Sequence, residues 1–184
     1  MTLAGQKGRV ALRVATHSLH ERLHGAPDFA ALAQGTLDIA GYAGLLSRQA
    51  SCYFAAAKIL PLEPGRLELL HSDLATLGAE QPEPLDWPNP AGPPEALGWR
   101  YVVEGSIFGG RVIYRQLDYL FGERSEGRSF FRGTPQSTAR WQALCSEIEQ
   151  EARSPLRLNR IIEGAIAAFT AFGRILDIRE PACA

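Results

Sequence analysis

The chain has 184 residues, 46% of them apolar and 21% charged, with a formal net charge of −1. That is the mix of a soluble globular protein with room for one sizeable core; it excludes a disordered chain, a membrane-dominated one and a basic nucleic-acid binder. Its three cysteines, Cys52, Cys145 and Cys183, form no C-x-x-C or C-x-x-C-H pattern, which sets aside zinc ribbons, thioredoxin chemistry and covalent c-type haem and fits a reducing compartment. The first twenty residues lack a signal-peptide core and no apolar run approaches a membrane span, so a cytoplasmic protein with no nucleic acid and no membrane as partner is expected.

Apolar residues recur at helical spacing from about 6 to 24, at Val10, Leu12, Val14, Leu19 and Leu23, and Gly25-Ala26-Pro27 ends the segment. A short helix is expected from Phe29 to Gln34, and a long one, rich in Ala and aromatics, from about 38 to 60, stopped by Pro61. Another spans 63 to 78 and is closed by Gly78. Six prolines between Pro82 and Pro94 make an extended connector that cannot be helical.

A helix then runs from about 94 to 121, followed by a polar loop from Gly122 to Gly133 that contains Phe130 and Phe131. Two helices, about 135 to 153 and 155 to 177, are split at Ser154-Pro155. No alternating β-branched run suggests a strand, so the fold class is all-α. One domain over 1–184 is expected, with the connector at 81–94 as a crossover inside it and a disordered tail at 178–184.

The segment from Tyr101 to Ile113 reads as mid-helix yet carries Gly105, Gly109 and Gly110. Each glycine inside a helix costs about 1 kcal/mol relative to alanine. Three so close together predict a kink or a close approach, with a bare backbone against which something large and flat can lie.

Three of the four histidines, His17, His20 and His24, fall three and four residues apart on one face of the first helix. Three readings compete: a solvated polar face, a metal site of two or three imidazoles, and a single histidine serving as axial haem ligand beside Leu19 and Leu23. The metal reading has only Glu21 as a nearby carboxylate and no H-E-x-x-H motif. Periodicity leaves the three open.

Taken together, Ala15-Thr16-x-x-x-His20 and, about ninety residues later, Gly105-x-x-x-Gly109-Gly110 resemble the haem oxygenase family in its bacterial form. Phe130-Phe131 is similar to the family's aromatic pair after the distal helix. The run from Ile161 to Phe169 is similar to its pocket-closing helix. The matches lie in the family's order over nearly the whole chain.

The resemblance implies a helical bundle with a kinked, glycine-rich distal helix. Haem b would lie between the two helices, with His20 on its iron and Gly105, Gly109 and Gly110 on the distal side. It implies oxidative cleavage of haem to biliverdin, CO and ferrous iron, with O2 as co-substrate and electrons from a reductase or ferredoxin. The product would serve iron release or chromophore supply to a bacterial phytochrome.

One departure stands out. Where the animal-type family has an aspartate that anchors the proton-delivering water network, this chain has Ser106, whose hydroxyl can orient water but carries no charge. Arg13, two turns before His20, and Arg140 are the expected propionate clamps, with Arg111 a further candidate; a plain surface arginine is the competing reading for each. Phe169 is expected to line the pocket, against an ordinary core role. His17 and His24 are expected at the surface, and Glu104 in a structural or solvated position. Two rival readings are a haem carrier or sensor on the same fold without turnover, and a haem-free helical enzyme of the thiaminase-like kind.

Overall fold

A computed structural model describes residues 7–175; Cys183 and the tail at 178–184 lie outside the described residues. Among the described residues 74% are helical and none is in a strand, as an all-α fold requires.

The first helix, α1 (Lys7–His24), buries Gly8, Leu12 and Thr16 and turns its remaining faces outward. A short α2 (Pro27–Ala33) opens with proline, whose fixed φ suits a first turn. The long α3 (Ile39–Ile59) is capped by Asp38, whose carboxylate accepts the Gly41 N–H at 2.8 Å. Then α4 (Arg66–Thr76) begins after Gly65, which has φ 80°, a left-handed conformation that glycine adopts without strain.

The connector carries no helix from 81 to 92, but its last two prolines, Pro93 and Pro94, are helical and open the next helix, because a first turn needs no N–H from them; the rest is anchored. Trp87, 9% exposed, sits with its ring centroid 5.2 Å from that of Trp99 and 5.3 Å from that of Phe172. The aromatic burial holds the crossover on the helices it joins.

The glycine-bearing helix, α5 (Pro93–Gln116), is continuous through all three glycines. It ends earlier than its hydrophobic pattern suggests, and a separate turn, α6 (Asp118–Phe121), follows. The expected polar loop is also more ordered than its composition suggests, containing α7 (Ser129–Arg132) with Phe130 and Phe131 both buried.

The organiser of this region is Arg128, only 2% exposed. Its guanidinium donates to the carbonyls of Arg124, Tyr114 and Gly122 and pairs with Asp118 at 2.5 Å. A buried arginine is tolerated because its fork of donors is satisfied and its plane lies over the Tyr114 ring. The chain closes with α8 (Ser137–Glu151) and α9 (Pro155–Ile175), split at the expected proline.

One hydrophobic cluster runs through the protein from Leu12 to Phe172. At its centre α9 packs against both α5 and α1. Two glycines set the α5–α9 approach: a Cβ on Gly98 would stand 2.0 Å from the Ile161 carbonyl oxygen, and one on Gly164 would stand 2.1 Å from that of Glu95. The two backbones meet without intervening side chains. No described helix is long and apolar enough to cross a membrane.

Candidate active site

His20 projects from α1 with its side chain 51% exposed. Its ring meets the edge of Phe169 on α9, centroids 6.1 Å apart, and its Nδ1 lies 3.4 Å from Glu21 Oε1. Val14, 73% exposed, extends the same helix's outer face with an apolar side chain. His24 is at the surface as expected, but it is engaged: its Nε2 is 3.2 Å from His20 Nε2. Burial and the neighbouring His20 push its pKa down. His17 is exposed.

On α5 the three motif glycines meet three different surroundings. A Cβ on Gly105 would be 3.1 Å from the Trp141 ring, so the flat group lying there is an indole of α8. A Cβ on Gly110 would be 2.9 Å from the Phe131 carbonyl oxygen, which makes this glycine a packing requirement of α5 on α7. At Gly109 a Cβ would meet nothing within 4 Å. Phe108 and Val112 on the same stretch are exposed apolar residues. Bare backbone open on one side is therefore a property of Gly109.

Ser106 belongs to a hydrogen-bonded chain that sequence reasoning missed. Its hydroxyl donates to the Val103 carbonyl at 2.7 Å, leaving Oγ to accept from the Tyr53 hydroxyl on α3. Tyr53 Oη in turn accepts from Arg66 Nη2 at 3.4 Å. Tyr53 and Arg66 are 2% and 5% exposed, and the guanidinium lies over the rings of both Tyr53 and Phe130. The signal available in the sequence was a tyrosine inside the apolar stretch of α3, with an arginine opening the next long helix.

The arginines divide. Arg13 is exposed and makes no ion pair among the described residues, near enough to Tyr101 to influence its ionisation. Arg140 is occupied: it donates to the Pro61 carbonyl at 2.6 Å and pairs with Glu104 at 3.4 Å. Glu104 is structural, its side chain 8% exposed between Arg140 and Arg100. Arg111 donates to Thr138 Oγ1 at 3.2 Å. Phe169 is buried and touches His20.

Beside this, Leu19, Leu23, Phe169, Thr170 and Gly173 line a depression of about 30 Å³ between α1 and α9. That is room for one water, not a tetrapyrrole. The thiols of Cys52 and Cys145 are pushed up by burial, so neither is an activated nucleophile.

A heme oxygenase of Xanthomonas campestris pv. campestris (strain 8004) is 35% identical to the chain over 109 residues, 58% of this chain and 64% of that protein. The chain is similar to a heme oxygenase. The likeness supports the haem oxygenase family that the two motifs pointed to. No protein-family model matches the chain. The match spans less than two thirds of the heme oxygenase relative's length.

The residues present fit haem on grounds of their own. His20 offers an accessible imidazole beside an aromatic edge, the Gly109 stretch offers open backbone flanked by exposed apolar side chains, and Arg13, without an ion pair among the described residues, offers a cation for a carboxylate.

Proposed function

We propose that the protein binds haem as substrate and cleaves it oxidatively to biliverdin, CO and ferrous iron, using O2 and external electrons. The observation that carries the reading is an accessible imidazole on α1, His20, combined with uncovered backbone at Gly109 on α5. Haem supplies the iron at which O2 is activated; the protein's own residues bind, orient and deliver protons.

In this reading His20 Nε2 would hold the iron once it turns from His24, and Glu21 at Nδ1 favours the tautomer whose Nε2 carries the lone pair. Phe169 stops the imidazole from tilting towards α9. The Gly109 stretch allows the macrocycle close to the α5 backbone, and Phe108 and Val112 supply apolar cover. Arg13 takes a propionate. Arg140 is a weaker clamp, because it would have to leave Glu104 and the Pro61 carbonyl.

Proton delivery falls to Ser106. Its hydroxyl proton rests on the Val103 carbonyl, and its Oγ is held by the Tyr53 donor. Rotated off that carbonyl, the O–H would donate a hydrogen bond that orients a water beside the bound haem. The proton delivered would be the water's, replaced from solvent, while Tyr53 keeps its own proton and goes on donating to Oγ. Arg66 keeps Tyr53 aimed by donating to Oη. A serine can therefore stand where relatives of the animal type carry an aspartate, because a second hydroxyl backs it. The electron source is a reductase or ferredoxin, and the product would go to iron release or to a bacterial phytochrome.

The test is reconstitution of the protein with haem, followed by reductant under air. Loss of the Soret band with release of biliverdin is expected. A Soret band that persists through reduction and reoxidation would make the protein a haem carrier instead. His20→Ala should lose the histidine-ligated spectrum, and an unchanged spectrum would remove His20 from the iron.

A further inference from the structure

His20 and His24 are one helical turn apart, and their Nε2 atoms are 3.2 Å from each other with the rings inclined at 57°. Two imidazole nitrogens on one ion at about 2.0–2.1 Å stand about 3.4 Å apart in a tetrahedral site and about 2.9 Å apart at a right angle. The observed separation, bridged by a hydrogen bond between the two rings that an ion would replace, lies between the two. Both side chains are exposed, so an ion can reach them from solvent without any rearrangement of the helix.

His20 also carries the outer partner that histidine ligands use, with Glu21 Oε1 at 3.4 Å from Nδ1. A carboxylate there holds the imidazole in the tautomer whose Nε2 lone pair is available and raises its basicity. We infer that His20 and His24 form a two-nitrogen site for a divalent ion of the zinc, nickel or copper class, and that the site competes with haem for His20 Nε2.

The competition follows from having one lone pair. Nε2 of His20 can point at an ion shared with His24 or at haem iron, never at both. This clause rests on the proposed haem-ligand role of His20, whereas the metal site itself does not. No cluster of three or more His, Cys, Asp or Glu ligands occurs among the described residues, so water would complete the coordination. Such a site exchanges its ion readily, unlike a closed structural site. Affinity should rise towards copper, as for any nitrogen site.

The experiment uses the full, untagged chain free of haem. Calorimetric titration with Ni(II) and Zn(II) should give one site per chain, weakened at least tenfold in His24→Gln and in His20→Ala. No binding, or binding undiminished in either variant, overturns the metal site. Haem titration is then repeated with saturating Zn(II). The haem midpoint should move at least tenfold higher in the natural sequence and should not move in His24→Gln. If the ion binds at the pair but the haem midpoint stays put, the competition is wrong and so is His20 as haem ligand, while the metal site stands. Circular dichroism of each variant, expected to match the natural chain, separates these outcomes from misfolding.

Discussion

Tyr53 on α3 donates its hydroxyl proton to Ser106 Oγ on α5, and the same Tyr53 oxygen accepts from Arg66 Nη2 on α4. Three helices thus meet in one directional chain that ends on the Val103 carbonyl. The chain gives a small neutral side chain a fixed supply of hydrogen bonds in a position where only its orientation matters.

Ser106→Ala and Tyr53→Phe should each lower haem turnover about tenfold or more, in line with the loss of a positioned proton donor. Haem affinity and the Soret maximum should barely change. Single-turnover spectroscopy measures both. A full rate in Tyr53→Phe would show that Ser106 needs no backing hydroxyl.

Gly109 and Gly110 are adjacent yet should respond oppositely to alanine. At Gly109 the new methyl meets nothing, so Gly109→Ala gains helix propensity of about 1 kcal/mol. At Gly110 it collides with the Phe131 carbonyl, so Gly110→Ala loses about 1–3 kcal/mol. Thermal melts of haem-free protein should move up for the first and down for the second. Gly109→Leu should fold but bind haem more weakly, because the larger side chain fills the open face.

The α5–α9 crossing tolerates no side chain. Gly98→Ala and Gly164→Ala each place a methyl about an ångström inside contact with rigid backbone, which cannot move aside as a side-chain tip can. Losses of about 3 kcal/mol or more are expected. Urea midpoints report this directly, and a loss below 1 kcal/mol would mean that the helices slide apart freely.

Asp73, 1% exposed, accepts the Phe130 backbone N–H at 2.7 Å. Burial raises its pKa above the ordinary 3.8, although the N–H groups of Phe130, Ser129 and Gly127 pull it back. The native protein therefore binds this proton more tightly than the unfolded chain does. Stability falls as pH rises from 3.8 through the raised native value, and the penalty is complete above it. Asp73→Asn should flatten that part of the profile in urea titrations between about pH 3 and 7. Asp73→Ala should instead cost about 1–3 kcal/mol, because the Phe130 N–H loses its acceptor.

Much of the helical frame was legible from local chemistry. Asp38 and Pro155 start helices, Pro61 and Gly78 stop them, and the prolines from Pro82 to Pro90 forbid one; each acts through its own backbone or its immediate neighbours, so linear order suffices to read it. The positions of His20 and the three glycines on their helices were legible for the same reason. The polar loop was misread because its order comes from Arg128 reaching back to Tyr114 and Asp118, contacts that composition does not report.

What only the tertiary structure decided is which neighbour each residue meets. Three glycines of one motif face an indole, open space and a peptide carbonyl, although within the helix they are nearly equivalent. Arg140 and Arg13 looked alike as clamps until Glu104 and the Pro61 carbonyl occupied the first and left the second unpaired among the described residues. Tyr53 and Ser106 are 53 residues apart, and their hydrogen bond exists because the folded chain brings these two side chains of α3 and α5 together across the core. Residue type and spacing set what each group can do; packing across long sequence separations sets which partner it does it with.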